Sequence, residues 1–340
     1  MAGRKTLART HMSISFEPIA NVDWSYLDSF PDRTLFQTKP WLEFIAESQR
    51  AKPIVLEVKI DRQPVGFFTG LTITKGGLRI LGSPFPGWST SYLGFNLMAG
   101  VDRGALVEPL AHFAFRELGC WHVELMDRHL TVDQMDNLGW RGRNFNNTEI
   151  DLSISEDAIF DNMKGSCRTS IRKSEKSGVT VEIAQDGEFP SEYYTQLTEV
   201  FAKQGLKPTH SIDRIHLLIR HLSPSGNLLL LRARNADGVC IATGIYPAFR
   251  DRMYFWGGAS LREYQILQPN EPVQWYAMRY WKARGALACD MGGGGDYKLK
   301  YGGQPLIVPW RRKSRSVLVS GFRTLAQRAY GWRRRPSSGR

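Results

Sequence analysis

The stretch ALACDMGGGGDYKLKYGGQPLIVPW, residues 286–310, decides how this chain reads. A short apolar run ends at Asp290, and the glycines at 292–295 then remove every side chain where the backbone must bend or approach something closely. The spacing predicts a strand, a turn beside a ligand or a second strand, and then the cations and rings of Tyr297, Lys298, Lys300 and Tyr301. A second glycine pair and a strand over 305–310 complete it. Taken locally, the pattern is either a hairpin whose lysines solubilise an edge or a site. If 297–301 is extended, Lys298 and Lys300 point to opposite faces.

A second segment works outward from the first. A helix is expected over 156–177, with Lys164, Arg168, Arg172 and Lys176 recurring every four residues along one face. Like charges at that spacing cost ~0.2–0.5 kcal/mol per pair, so the stripe opposes the helix unless an anion sits on it. The other reading is a helix complementing its macrodipole, since Glu156, Asp157 and Asp161 stand at the opposite end.

The strand ending in Asp, the Gly-rich turn and the aromatic-Lys-x-x-aromatic-Gly after it resemble the C-terminal signature of FemAB-like transferases. These include peptidyltransferases that add amino acids to peptidoglycan precursors, and acetyltransferase-type proteins found with exopolysaccharide and cellulose biosynthesis. All are built on GNAT-like domains. SCRTSIRKSEKSGVTV, residues 166–181, is similar to the Arg-x-x-x-Arg-Lys-x-x-x-x-Gly-Val helix end of the same superfamily. The two motifs frame roughly the last half of the chain.

The resemblance implies an acyl or aminoacyl transferase acting on an amine of a sugar-containing, phosphate-bearing envelope or exopolysaccharide precursor. It assigns Lys298 to the negative charge of the tetrahedral intermediate, with Tyr297 beside it and Asp290 anchoring the turn. It places Lys164, Arg168, Arg172 and Lys173 near acceptor phosphates. Trp256 and Gly257 belong to the MYFWGG strand, residues 253–258, which in GNAT domains splays from its neighbour to admit an acyl donor. Asn270 reads as the N-cap of the next helix, with Pro272 in its first turn and free N–H groups for a pyrophosphate. Residues 262–270 contain no glycine, unlike the usual Gln/Arg-x-x-Gly-x-Gly/Ala loop, so acyl-CoA and aminoacyl-tRNA both stay open as co-substrate donors. No tightly bound cofactor is expected. Asp296, Tyr297 and Glu263 are alternatives for a general base.

The rest of the chain repeats one order. A hairpin over 53–60 and 65–73, a third strand at 78–81, a helix over 101–118 and a strand at 121–126 are followed by 227–233 with 239–247, 253–256, 271–284 and 286–290. Residues 65–70 match 239–244, 78–83 match 253–259, and 119–127 match 285–290, at offsets of 174, 175 and 166. The expected fold is α/β with mixed α+β sheets: two tandem GNAT-like domains, residues 13–152 and 153–310, the second catalytic. Residues 1–12 form a flexible N-terminus and 311–340 a basic amphipathic tail.

Composition bounds the partners. The hydrophobic share of 42% and the charged share of 23% belong to a globular chain without a membrane span. The formal charge of +12 is concentrated: residues 311–340 carry ten cations and no acid, leaving 35 basic against 33 acidic residues elsewhere. Leu318, Phe322, Leu325, Ala329 and Trp332 form an apolar stripe within that tail, which lies on an anionic membrane or packs on its own domain. Charge confined to a tail argues against a DNA-coating domain. The four cysteines are widely spaced, and no HExxH or Cys-x-x-Cys pattern suggests a metal. The expected location is cytoplasmic, peripheral on the inner face of the membrane. A non-catalytic nucleic-acid- or lipid-binding protein on a transferase scaffold is the alternative reading.

Overall fold

A computed structural model describes residues 13–203 and 205–316. The first half runs β1 (Ile14–Pro18), α1 (Trp24–Asp28), α2 (Lys39–Gln49), β2 (Lys52–Ile60), β3 (Gln63–Lys75), β4 (Leu78–Ser83), β5 (Gly94–Leu97), α3 (Val107–Arg116), β6 (His122–Leu125), α4 (Val132–Asp136) and β7 (Arg141–Asp151). The second opens with α5 (Glu156–Asn162) and α6 (Gly165–Lys176), then β8 (Thr180–Ile183), α7 (Phe189–Ala202), α8 (Ile212–Leu222), β9 (Leu228–Arg234) and β10 (Cys240–Phe249). It ends with β11 (Arg252–Tyr254), β12 (Gly257–Ser260), α9 (Asn270–Lys282), β13 (Ala288–Gly293) and β14 (Gln304–Ser314).

Both halves use one plan. β1 to β4 pair antiparallel in sequence and β6 lies parallel to β4; β8 to β11 do the same, with β13 parallel to β11. β5 returns to β3 as β12 returns to β10. The repeat legible in the sequence is therefore a repeat of pairing.

The halves are joined by an exchange of strands. The sheet order is β1-β2-β3-β4-β6-β14-β7-β13-β11-β10-β9-β8, so the strand closing each half lies beside the other half's β6 or β13. β7 and β14 pair antiparallel from Gln304↔Glu149 to Arg312↔Arg141. Gly142 permits this approach, because a Cβ there would overlap the Trp310 carbonyl oxygen. Pro305 and Pro309 are tolerated in a central strand because β14 pairs with β6 only from Arg311 onward.

Each half buries its own core, one around α3 and one around α9, and a third core is shared. In the shared core, Ile215, Leu218 and Leu222 recur at three and four residues on α8 and meet Trp41, Leu42, Phe44 and Ile45 of α2. Trp41, Phe44 and Ile45 are fully buried there, so this interface is core in character. No helix among the described residues is long and apolar enough to cross a membrane.

Two expectations change. The helix expected over 156–177 is two helices: Lys164 is extended at φ −56 and ψ 143, and its N–H goes to the Lys300 carbonyl (2.9 Å). Gly165 beside it has low helix propensity, so an external partner easily breaks the helix. Arg311 to Lys313, expected in the tail, belong to β14, since β6 otherwise has an open edge. Arg311 is buried and bonded to Asp136 (2.7 Å), and Lys313 pairs with Glu108 (2.5 Å). The amphipathic stripe over 318–332 lies outside the described residues, as do residues 1–12.

Strand exchange has a direct consequence for fragments. Residues 13–152 leave the β6 edge without β14, and residues 153–316 leave β13 without β7. Each fragment alone is expected to be insoluble or to melt without cooperativity, while the two co-expressed form a one-to-one complex with a cooperative transition. Circular dichroism melts and gel filtration measure this; a cooperative melt of either fragment alone would show that the exchange is dispensable.

Candidate active site

The site forms where two strands part. β11 and β13 run parallel as far as Tyr254↔Asp290, and the Phe255 N–H still reaches the Asp290 carbonyl (2.8 Å). Beyond that, Trp256 donates to Ile245 (3.0 Å) and β12 follows β10, while β13 stays with β7, its partner from Ala288 onward. Phe255 and Met291 stand on the diverging strands and line two cavities.

The first cavity, about 250 Å³, lies between β10, β12 and the start of α9. Thr243, Tyr246, Ala259, Ser260, Asn270, Val273 and Gln274 line it, and Tyr297, Lys300 and Tyr301 of the turn close one side. Asn270 occupies a place different from the one expected. The cap position is Pro269, without a side-chain cap bond, and the Asn270 amide donates to Ser260 Oγ (3.1 Å). The first turn carries Glu271, whose carboxylate holds Lys300 (2.5 Å), and Pro272, which has no N–H.

The second cavity, about 220 Å³, lies between the halves. Tyr254, Trp256, Asp290 and Lys298 line it from the second half; Phe36, Ser89, Ser91 and Phe145 come from the first. In the second half β11 bends into β12 across two residues, whereas ten residues separate β4 from β5 in the first half. That longer loop reaches across: the Ser89 carbonyl accepts from Trp256 Nε1 (3.0 Å) and the Trp88 carbonyl accepts from Arg214. The sequence shows this stretch as rich in Gly, Pro and aromatics, but nothing local says which surface it crosses.

The candidate residues divide between the cavities. Asp290 is buried; its Oδ1 accepts from the Gly292 N–H (2.8 Å), which anchors the turn, and from Asn147 (2.7 Å), which also bonds the Tyr92 hydroxyl. Lys298 is buried, and its ammonium donates to the carbonyls of Met291 (2.6 Å), Gly293 (2.9 Å) and Gly292 (3.3 Å). Tyr297 is half-exposed at the first cavity. Residues 296–301 form a 3-10 turn, so the extended alternation expected for Lys298 and Lys300 does not occur. They still face different cavities, because left-handed glycines at 294 and 295 wrap the chain around the Lys298 ammonium. Gly257 opens β12 where a Cβ would overlap the Tyr193 hydroxyl.

The cationic stripe has partners of its own. Arg168 donates to the Asp161 and Met163 carbonyls at the end of α5, and Arg172 lies over the Phe160 ring (5.2 Å). Lys164 and Lys173 are exposed. α6 docks on the turn and on α9, with Ser170 donating to Gln268 (3.2 Å), so the stripe stands beside the first cavity. Asp296 and Glu263 line neither cavity.

The equivalent gap in the first half is filled. Asp127, at the end of β6, accepts from the Phe95 N–H of β5 (2.8 Å) and from Arg103 (2.8 Å), which also pairs with Asp32. Gly94 leaves no space beside that carboxylate.

Residues 161–301 match the family model described as the acetyltransferase (GNAT) domain. Over these residues the chain is similar to a GNAT domain. Solved structures extend the likeness over both halves. FemX is 14% identical with a TM-score of 0.67, covering 86% of this chain and 96% of its own. A tandem GNAT protein from the clavulanic acid biosynthesis pathway is 11% identical at 0.52, covering 88% and 97%. The C-terminal domain of a protein provisionally described as a lysylphosphatidylglycerol synthetase, from Agrobacterium fabrum, is 12% identical at 0.51, covering 77% and 84%. No curated protein sequence matches the chain. The FemAB-like resemblance read from the two motifs thus holds in the fold, which is similar to that of FemX and of the tandem GNAT protein.

Burial depresses the Lys298 ammonium to about 8, with Asp290 pulling the other way. An unfolded lysine stays protonated to about pH 10.4, so between pH 8 and 10 the unfolded chain binds more protons and this site's contribution to stability rises with pH. Lys298→Met should lower the melting temperature, and the gap to the wild type should widen from pH 8 to pH 10. Thermal melts across that range measure it; a constant gap would show that burial does not set the protonation of this lysine.

Proposed function

We propose that the chain transfers an acyl or aminoacyl group to an amine of a sugar-containing, phosphate-bearing cell-envelope or exopolysaccharide precursor. The observation carrying this reading is the pair of cavities meeting at Phe255 and Met291, where the strands part. The donor lies in the first cavity against β12 and α9, and the acceptor enters the second, between the halves. The amine attacks the donor carbonyl across the shared wall. Lys298 places a fixed positive charge beside the developing oxyanion, because its N–H groups are already committed to carbonyls.

The donor is acyl-CoA or aminoacyl-tRNA. A diphosphate on the first turn of α9 meets the Glu271 carboxylate and lacks the N–H that Pro272 removes, which favours a donor whose charges lie elsewhere. Lys164, Lys173 and the exposed face of α6 stand beside that cavity and suit a phosphate-rich donor or acceptor. The tail at 311–340 is proposed to rest on an anionic membrane surface from its cationic and apolar pattern alone.

Val273 tests the donor assignment. It is buried and lines only the first of the two cavities, so Val273→Phe fills donor space. With acetyl-CoA and aminoacyl-tRNA offered against amine acceptors, kcat/KM for the accepted donor should fall at least about 100-fold, with acceptor affinity unchanged. Overpacking costs roughly 1–3 kcal/mol, which a melt separates from lost binding. Full donor turnover by a folded Val273→Phe protein would remove the first cavity from the reaction.

A further inference from the structure

Asp290 is the one carboxylate among the residues lining the two cavities. Its oxygens are used unequally. Oδ1 takes the Asn147 and Gly292 donors, but Oδ2 is buried with no hydrogen-bond partner among the described residues. The nearest cation, Arg128 Nη1, is 3.6 Å away, beyond hydrogen-bond reach. Arg128 is also held by Glu149 and lies over the Tyr92 ring (5.5 Å). The Lys298 ammonium is spent on three carbonyls. A buried carboxylate oxygen left without a donor is costly and points to a ligand that brings one.

The chamber around it specifies that ligand. Phe36, Phe145, Tyr254, Phe255 and Trp256 line its walls, and aromatic faces attract cations while packing on the carbon that carries them. A phosphate or carboxylate would face Asp290 with like charge; an alcohol gains nothing from its charge. We propose that Asp290 is the catalytic base, its Oδ2 receiving the acceptor as a primary ammonium group and holding the proton that the amine gives up. The bound ammonium first gives one proton through Oδ2 to solvent, and the neutral amine then forms the new C–N bond while the carbonyl π electrons move to oxygen. The excess proton now on nitrogen passes to the freed Oδ2, which delivers it to the alcohol or thiol expelled as the tetrahedral intermediate collapses. One proton goes to solvent for each ammonium acylated. The catalytic half rests on the acyl-transfer reading; the binding half does not.

The experiment therefore needs no donor at first. The full chain is titrated with butylamine against 1-butanol, and with glucosamine against glucose, following tryptophan fluorescence and the melting temperature. At least one amine should bind tenfold or more tighter than its neutral counterpart, and whichever does so tells an alkyl carrier from a sugar. Asp290→Asn should abolish that preference, while Arg128→Met, which removes the competing cation, should sharpen it several-fold and serves if Asp290→Asn does not fold. Equal binding of amines and neutral counterparts by the wild type overturns the proposal, as does a preference retained in Asp290→Asn. With a donor, Asp290→Asn should lose about 10²–10⁴ in kcat, the range for a general base. Selective amine binding with no donor ever turned over would instead remove the acyl-transfer reading.

Discussion

The antiparallel pairing of β7 with β14 is the contact on which the rest of the molecule depends. Each strand closes one half by lying beside the other half's last parallel strand, so neither half has a complete sheet of its own. The same pairing carries Asn147 and Phe145 on β7 to the second half's site, where Asn147 bonds Asp290 and Phe145 lines the chamber. Sheet continuity and site assembly are thus one event.

Duplication has left two similar frames with opposite fates. At the end of β6, Asp127 is satisfied by a β5 N–H and by Arg103, and the gap beside it is closed. At the end of β13, Asp290 has one oxygen satisfied and the gap beside it stays open. The difference lies in the residues after the aspartate. Gly292 to Gly295 take the chain away from the gap and around Lys298, whose three carbonyl bonds hold the wrapped loop. The loop between β4 and β5, spare in its own half, serves as a wall for the other.

That arrangement fits the transfer proposed for the site. The cavities on either side of Phe255 and Met291 share one wall, and the burial of Asp290 and Lys298 strengthens the charges they carry there. The stripe on α6 is partly structural: Arg168 caps α5 and Arg172 stacks on Phe160, so the repulsion expected between them is offset inside the protein.

Much of this was legible in the chain. The hairpins, the crossing helices and the repeat at offsets near 175 come from local periodicity and turn residues, which depend on neighbours a few positions apart. The Asp-Gly-Lys turn stood out because glycine and buried charge have few other uses together. The break at Lys164, the 3-10 turn at 296–301 and the cap at Pro269 were not legible, since each is set by a partner far away in sequence or by a single backbone angle. Nor did any local pattern show that β7 and β14 change places, or that Phe36, Ser89 and Phe145 meet Asp290 and Lys298 in one chamber. The sequence by itself determined the elements, their repetition and the residue types at the turn. Only the tertiary structure decided which half completes which, because strand partners and cavity walls are chosen by packing between segments more than a hundred residues apart.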